Sequence, residues 1–383
     1  MAASATVAHI EPAVVRWARE SAGYSTRRAA DEIGVDKWYL ELVEEGRELF
    51  SLDEAEKAAE VYGRSLASLF LPEPPDEEPQ EMQFRRLPGT PEPPWGPEVQ
   101  RTARRVSERQ EVALEIYEAL DESPPWPAAS ERLVRTSKDS LPEVVREVLG
   151  VSRTEQANWG QDDYAPFRGW RTAVERLGVL VMQAGAVPVK EMRGFASIEP
   201  SEVPAILVNN KDDPRARAFT VLHEFGHIVL ARRGESVGPA TERWCESFAG
   251  RVLMPGRWLR EEFDASVART TFGRVRDVAS AFQVTPLAAA VRITRAGLVS
   301  RDEGGAAIGQ LQQRGRERDE EEDGGGRGGN YYLNQVGWFG PSYLRLVFAA
   351  LDNQVVTLPA ASSLLDGVKV KNFERLRNEL EGR

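Results

Sequence analysis

The feature that most constrains this chain is the segment FTVLHEFGH at residues 219–227, an H-E-x-x-H motif inside an apolar run. The chain has 383 residues and three histidines, and two of these lie in the motif. The apolar flanks favour a helix, in which residues four apart lie on one face. His223 and His227 can therefore offer two imidazole nitrogens to a single ion, and Glu224 follows directly. The motif predicts a catalytic zinc site.

The third ligand of the predicted site is not fixed by the motif. A catalytic zinc ion usually has three protein ligands and an open position for water. With His9 far away in the sequence, the ligand is expected from a carboxylate or from Cys245. The next predicted helix, residues 242–255, carries Glu242 and Glu246 one turn apart. Glu242 is the favoured ligand, and Glu246 is expected to support it or to replace it as a ligand. Cys245 is better explained as a small buried residue.

The chemistry that these residues predict is peptide hydrolysis. Zinc lowers the pKa of a coordinated water toward ~7. Glu224 is expected to take a proton from that water and to return it to the leaving amine. Arg217 is a candidate for stabilising the oxyanion. Two alternatives stay open, a metal site without catalytic activity and a plain helix that carries two surface histidines.

Residues 10–71 predict a bundle of short helices. Serine or aspartate precedes several apolar helical patterns, and glycine follows them, which is typical of helix starts and ends. The predicted helices lie at about residues 10–21, 26–33, 36–45 and 51–62, with a short apolar piece at 66–71. Residues 72–97 are rich in proline and acidic residues, which indicates a linker.

The rest of the chain predicts one larger domain and a helical end. Residues 98–300 form the predicted domain, with a core at 165–258 and two buried strands at 178–182 and 205–208. Residues 301–329 are expected to be a disordered tether, because glycine, arginine and glutamate dominate their second half. Residues 330–383 are predicted to be helical. The fold class that follows is mostly α with a small α+β part.

Composition narrows the functional classes. The net charge of −11 and the pI near 5.2 disfavour nucleic acid as a default partner. A single cysteine excludes an internal disulfide and agrees with a reducing cytoplasm. No apolar run reaches the ~18 residues that a membrane span needs. We expect a cytoplasmic protein without a membrane partner.

Several of these segments resemble the ImmA/IrrE family of metallopeptidases. The resemblance runs through AILVN at 205–209, Asp213, the H-E-x-x-H motif, ERWC at 242–245 and LMP at 253–255. It implies a zincin-like domain with a small sheet and a helical C-terminal extension. It also implies that His223, His227 and Glu242 hold zinc and that Glu224 is the catalytic acid and base.

The same resemblance implies a biological role. Members of the family cleave a repressor of the helix-turn-helix type and thereby switch on stress or mobile-element genes. The expected partner is therefore a regulatory protein, either such a repressor or a member of a toxin–antitoxin pair. A second copy of the chain is a further candidate partner. Glu246 departs from the family pattern, in which asparagine is frequent.

Residues 12–71 are similar to the Cro/C1-type (XRE) helix-turn-helix domain, which implies a five-helix bundle. The recognition helix would be residues 36–45, and it carries one lysine among several acids. Because phosphate contacts need positive charge, the candidate DNA-binding residues reduce to a short list: Arg27, Arg28, Lys37 and Arg47. The resemblance leaves two functions open. One is an endopeptidase in which this domain docks a protein, and the other is a DNA-binding regulator or antitoxin-like protein whose peptidase fold binds a partner.

Overall fold

The computed structural model describes residues 7–76, 83–85, 96–160, 162–189, 191–235, 238–321 and 331–381. The described residues divide into two compact units. The first unit comprises residues 7–76 and 96–105, and the second comprises 83–85 and 106–381. None of the described helices is long and apolar enough to cross a membrane.

The first unit contains the five helices that the sequence predicts. They are α1 (Pro12–Ser21), α2 (Thr26–Ile33), α3 (Lys37–Glu44), α4 (Leu52–Tyr62) and α5 (Leu66–Leu69). Ser25, Ser51 and Ser65 cap α2, α4 and α5, each accepting a hydrogen bond from the backbone amide three residues on. Gly34 ends α2 in the left-handed conformation that glycine adopts without strain.

The boundary of the first unit differs from the predicted one. Residues 97–105, the first turns of α6 (Pro97–Ala119), belong to this unit rather than to the following domain. Arg101 donates a hydrogen bond to the hydroxyl of Tyr24 (3.0 Å), and Arg104 donates to the carbonyl of Gly63 (3.1 Å). These long side chains attach the start of α6 to the bundle, which composition alone does not reveal.

A buried ion pair joins α1 to α3 in the first unit. Arg19 donates to both carboxylate oxygens of Glu44 at 2.6 and 2.9 Å, and also to the carbonyl of Tyr24 at 2.9 Å. The side chains of Arg19 and Glu44 are only 10% and 6% exposed. One of the acids counted on the predicted recognition helix therefore faces the interior and holds the bundle together.

We expect Glu44→Ala to lower the free energy of unfolding of this unit by up to about 3–5 kcal/mol, because the buried guanidinium loses its buried carboxylate and keeps only the exposed Glu20, at 3.2 Å, as an acidic partner. The matched control is Glu45→Ala, which removes an exposed carboxylate paired with Arg47 and should cost ~1 kcal/mol or less. Urea unfolding of the full chain measures both effects, and amide exchange of α1 to α4 localises them. Equal effects of the two substitutions would show that the buried ion pair contributes no more to the free energy of unfolding than the exposed one.

The second unit combines a small sheet with many helices. Its strands are β1 (Gln83–Arg85), β2 (Leu180–Ala184), β3 (Gly194–Ser197) and β4 (Ala205–Asn209). Its further helices up to the C-terminal region are α7 (Trp126–Arg135), α8 (Leu141–Leu149), α9 (Arg153–Ala157), α10 (Ala165–Glu175), α11 (Pro214–Arg232), α12 (Pro239–Leu253), α13 (Gly256–Ala265), α14 (Thr271–Ala281), α15 (Pro286–Arg295) and α16 (Arg301–Glu321).

The sheet has the order β1-β3-β4-β2. β2 and β4 are parallel, whereas β3 is antiparallel to both β4 and β1. The two strands predicted at 178–182 and 205–208 correspond to β2 and β4, and β1 and β3 were not predicted. Every residue of β4 is buried, which explains why its residues 205–208 form a continuous apolar run rather than an alternating pattern.

The core of the second unit lies between the sheet and helices α10, α11 and α12. Trp170 is fully buried, and the ring of Trp126 meets Phe225 of α11 edge to face at a centroid distance of 5.7 Å. Nearly all of α11 from Arg217 to Leu230 is buried. The motif helix is thus a central element of the core and not a surface helix.

The prediction of a disordered tether over 301–329 is wrong for Arg301–Glu321, which form α16; residues 322–329 lie outside the described residues. Ser300 and Glu303 cap the start of this helix reciprocally. Ala307 is buried, and Ile308 and Leu311 pack against the core. These apolar residues in the first half of the segment supply the burial that its charged second half lacks.

The predicted helical C-terminal region is present. It contains α17 (Tyr331–Phe339), α18 (Pro341–Asp352), α19 (Leu358–Leu364), a 3-10 turn (Val370–Asn372) and α20 (Phe373–Glu381). α17 and α18 pack against β2 at one edge of the sheet. Between them Gly340 has φ +80°, and a Cβ there would lie 2.6 Å from the carbonyl oxygen of Val181. A glycine is therefore required at this approach.

Glu175 links the end of α10 to the start of α18. Its Oε1 accepts a hydrogen bond from the backbone amide of Ser342 at 3.3 Å. Burial raises its pKa to about 7, although the charges of Arg171 and Arg345 oppose this change. The pKa of Glu175 is higher in the folded state than in the unfolded state. The favourable contribution of Glu175 to the free energy of unfolding is therefore complete below about pH 4.5, and it is lost as the pH rises through about 7.

We expect Glu175→Gln, which keeps the acceptor oxygen, to remove this pH dependence. Between pH 5 and 8 the wild-type free energy of unfolding should fall by up to roughly 3 kcal/mol more than that of the variant. Urea unfolding at the two pH values measures the difference, whatever offset the substitution causes at pH 5. Parallel pH profiles would contradict the raised pKa.

Candidate metal centre

The motif helix α11 begins at a strong N-terminal cap. The carboxylate of Asp213 accepts hydrogen bonds from the amides of Arg215 (2.9 Å) and Ala216 (3.4 Å), and Pro214 occupies the first helical position. The helix then continues without interruption through the motif. His223 and His227 are both about 1% exposed and point in the same direction.

A carboxylate from α12 completes a cluster with the two imidazoles. The Nε2 atoms of His223 and His227 lie 3.2 Å apart. Glu242 places Oε2 at 3.3 Å from His223 Nε2 and Oε1 at 3.1 Å from His227 Nε2. The side chain of Glu242 is 38% exposed, so the cluster opens toward solvent on one side.

These separations fit one divalent ion. In a tetrahedral site with bonds of about 2.0–2.1 Å to nitrogen and oxygen, two ligand atoms lie about 3.3 Å apart. The three measured distances in the cluster, 3.1, 3.2 and 3.3 Å, agree with that value. Among the described residues, this is the group of histidine and acidic side chains whose ligand atoms converge in this way.

The charge of Glu242 is stabilised by its neighbours. Burial acts against ionisation, but the hydrogen bonds with His223 and His227 hold the pKa of the Glu242 carboxyl well below its ordinary range. The carboxylate therefore stays ionised at every physiological pH. An anionic oxygen beside two imidazole nitrogens is a donor set that zinc accepts readily.

Glu224 lies beside the cluster and is completely buried. Its surroundings depend on Gly194 of β3, where a Cβ would lie 2.5 Å from Thr220 Cγ2 and 2.7 Å from the carbonyl oxygen of Leu207. The same position is 3.7 Å from Glu224 Cγ. Glycine therefore lets β3 lie directly against the turn of α11 that carries Glu224.

Gly226 positions the two helices of the site, and the sequence reasoning did not single it out. A Cβ at Gly226 would lie 3.0 Å from Phe248 Cδ1 and 3.2 Å from Cys245 Sγ. The absence of a side chain allows α12 to approach α11 closely, which brings Glu242 to the histidines. The available signal was a glycine inside a buried helix, where glycine is otherwise unfavourable.

Cys245 is not part of the cluster. Its thiol is buried against Gly226, and burial, together with the charges of Glu224 and Glu242, raises its pKa far above the ordinary value. A thiol that resists ionisation is a poor zinc ligand, since the thiolate is the binding form. The sequence interpretation of Cys245 as a small buried residue agrees with this position.

The structure does not bring Glu246 or Arg217 to the cluster of His223, His227 and Glu242. Glu246 pairs with Arg295 of α15 at 3.0 Å, and both side chains are 45% exposed. Arg217 is buried and donates to the carbonyls of Asp212 (2.9 Å) and Asn210 and to the side chain of Gln183 (3.3 Å). Its role is therefore to hold the loop that precedes α11, and the suggested oxyanion contact has no support.

Family comparisons agree with this geometry. Residues 174–294 match the IrrE N-terminal-like domain of the M78 peptidases, and residues 15–69 match a helix-turn-helix domain. The chain joins a helix-turn-helix domain to an IrrE N-terminal-like domain. His223, His227 and Glu242, with α11, α12 and Gly194, all lie inside the match at residues 174–294. Comparison with curated proteins and with solved structures gave no match.

The helix-turn-helix domain has few free positive charges. Residues 7–76 contain eight lysines and arginines against 15 aspartates and glutamates, a net charge of −7. Three of the four candidate DNA-binding residues pair with acids: Arg28 with Glu98, Lys37 with Glu41 (2.9 Å) and Arg47 with Glu45 (3.3 Å). The predicted recognition helix α3 instead exposes 59% of Trp38. The described part of this domain therefore offers little exposed positive charge for phosphate contacts.

Proposed function

We propose that this protein is a zinc-dependent endopeptidase that cleaves a repressor-type regulatory protein in a stress or mobile-element response. The observation that carries the proposal is the convergence of His223, His227 and Glu242 at separations that suit a single zinc ion. The buried carboxylate of Glu224, next to one of these ligands, supplies the acid–base group. The match to a peptidase family supports the same reaction class.

The residues of the chain have separate roles in this reaction. His223, His227 and Glu242 would hold zinc, which when bound acidifies water and polarises a carbonyl group. Glu224 takes the proton of the attacking water and delivers it to the nitrogen of the leaving amine. The side chain of Glu224 is fully buried, which strengthens its electrostatic interactions with the reacting groups. A repressor as substrate would place the reaction in the cytoplasm.

Incubation with a candidate substrate tests the proposal. The zinc-loaded protein is mixed with the small repressor encoded nearest to its own gene, and mass spectrometry follows the products. Cleavage at a defined bond that stops on chelation and returns with zinc supports an endopeptidase. Intact repressor, together with no cleavage of an unfolded protein such as casein at any zinc concentration, rejects it.

A second candidate function is a DNA-binding regulator or antitoxin-like protein, and the helix-turn-helix match is the observation that favours it. The net charge of −7 on residues 7–76 disfavours binding to DNA. We expect only weak binding to the upstream DNA of its gene at physiological salt, with less than ~1 kcal/mol lost on Arg27→Ala or Arg28→Ala. Mobility shift over a range of salt concentrations measures this. Tight, salt-sensitive binding that either substitution abolishes would favour the regulator.

A further inference from the structure

The end of α12 that lies away from Glu242 is held by side chains from three other helices. Arg146 of α8, Gln156 of α9 and Arg292 of α15 donate hydrogen bonds to the consecutive carbonyls of residues 252–254, at 2.7, 3.3 and 3.2 Å respectively. The last carbonyls of a helix have no partner inside the helix. These three donors therefore supply contacts that α12 cannot make by itself, and they attach its C-terminal end to the surrounding helices.

Arg146 differs from an ordinary buried arginine because no carboxylate compensates its charge. The residue is 5% exposed, and the ion pairs of the described residues do not include it. Its guanidinium carbon instead lies 5.2 Å from the centre of the Trp170 ring and 4.7 Å from that of the Trp258 ring. Burial lowers the pKa of Arg146 to about 10, which still leaves the group charged at neutral pH. Since an apolar side chain would fill the same space without a buried charge, the charge is best explained by the atoms to which it donates.

Those atoms belong to the negative end of the dipole of α12, where a cation is favourable. Arg146 Nη1 also donates to Gln156 Oε1 at 2.8 Å, which orients the amide group of Gln156 toward the carbonyls of Leu253 and Phe282. Arg146 thus acts on the end of α12 twice, directly and through Gln156. Glu242 lies in the first turn of the same helix. The metal ligand and the cation therefore occupy opposite ends of one rigid element.

The position of the Glu242 carboxylate depends on how α12 is turned about its own axis. Gly226 lets α12 approach α11 closely, whereas the hydrogen bonds at the end of α12 restrict its rotation and its movement along the axis. A side chain reaches roughly 6 Å from a helix axis, so a turn of about 10° would displace the carboxylate by about 1 Å. A functional site has to be held to within about 0.5 Å. Such a turn would therefore disrupt the separations of 3.1 and 3.3 Å from the two histidine nitrogens.

We propose that Arg146 is a positioning residue of the metal centre, which holds the C-terminal carbonyls of α12 and thereby places the Glu242 carboxylate against His223 and His227. The two imidazoles belong to α11 and the carboxylate belongs to α12, so the third ligand is only as well placed as α12 is. The inference rests on the zinc site of the proposed function and does not depend on cleavage of any substrate.

Arg146→Met in the full chain tests the proposal, because methionine fills the apolar site but cannot donate. The matched control is Arg109→Met. Arg109 is also 5% exposed, lies over aromatic rings and donates to a backbone carbonyl, that of Trp338, at 2.8 Å. It contacts the C-terminal region and not α12. We expect Arg146→Met to weaken zinc binding by about 10–100-fold, the effect typical of groups that support a ligand, and Arg109→Met to leave it nearly unchanged. Arg146→Lys, which keeps a cation, should fall between wild type and Arg146→Met. Competition with a coloured chelator measures the affinity, and urea unfolding measures the stability of each variant.

A second measurement needs no metal. The chain has three histidines, so the ring signals of His223 and His227 can be assigned in histidine-labelled protein by NMR. In the metal-free protein, Arg146→Met should shift these signals in the same direction as Glu242→Ala, whereas Arg109→Met should leave them in place. These shifts in a protein that binds no zinc would support the positioning role and would reject the proposed zinc peptidase.

Wild-type zinc affinity together with unchanged ring signals in Arg146→Met overturns the proposal. Equal losses of zinc affinity in Arg146→Met and Arg109→Met also overturn it, because they would reflect a general loss of stability. If Arg146→Met does not fold, Gln156→Met takes its place in the same experiments, since it removes the donor to the carbonyl of Leu253.

Discussion

Glu224→Gln is expected to lower kcat/KM for peptide cleavage by about 10²–10⁴-fold, the range that a positioned general acid–base group contributes. Glutamine keeps the size of the side chain but cannot accept or deliver the proton. Glu224 is not among the three clustered ligand groups, so the affinity for zinc should stay close to that of wild type. Single-turnover cleavage and zinc content of the purified protein measure the two quantities.

The control for this prediction is Glu246→Gln, the same chemical change on the neighbouring helix. Its carboxylate is exposed and paired with Arg295, so loss of the charge should leave both cleavage and zinc binding nearly unchanged. If Glu224→Gln cleaves at the wild-type rate, the proposed acid–base role is wrong. If it loses zinc as well as activity, Glu224 acts on the metal site and not on the proton.

Part of the site was accessible from the sequence because helical periodicity determines it. Residues four apart share a helix face, so the juxtaposition of His223 and His227 needed only the motif and its apolar flanks. Glu242 and Glu246 share a face for the same reason, and periodicity could not rank them. The choice depends on how α12 crosses α11, which Gly226 and Phe248 determine through a close contact in three dimensions.

The elements that the sequence reasoning missed depend on partners that are remote in the chain. β3 is only four residues long, and β1 gains its strand conformation by pairing with β3. Short strands carry little periodic signal of their own. α16 was missed for a related reason, because its few apolar residues are buried only by packing against α14 and α15. Helices α2 and α4 of the first unit were predictable because each begins after a capping serine and ends at a glycine.

Glu242→Ala is expected to reduce zinc affinity by more than about 100-fold, which exceeds the 10–100-fold effect typical of residues that only support a ligand. The substitution removes the one anionic donor of the cluster and leaves two imidazoles, which bind zinc weakly on their own. Because the Glu242 side chain is 38% exposed, the loss should act on metal affinity and not on folding. Competition with a coloured chelator gives the affinity, and urea unfolding of the metal-free proteins checks the stability.

Glu246→Ala is the matched variant, since it removes an identical side chain one helical turn further along α12. Its partner is Arg295 and not a histidine, so zinc affinity should change by less than about threefold, within the range of an exposed ion pair. Glu242→Asp, which keeps the carboxylate but shortens its reach, should fall between wild type and alanine. Equal losses for the two alanine variants would mean that overall negative charge near the site, rather than direct ligation by Glu242, determines the affinity. A loss of zinc affinity confined to Glu246→Ala would instead identify Glu246 as the ligand. The close approach of α12 to α11 at Gly226 could not then be the reason that Glu242 reaches the metal.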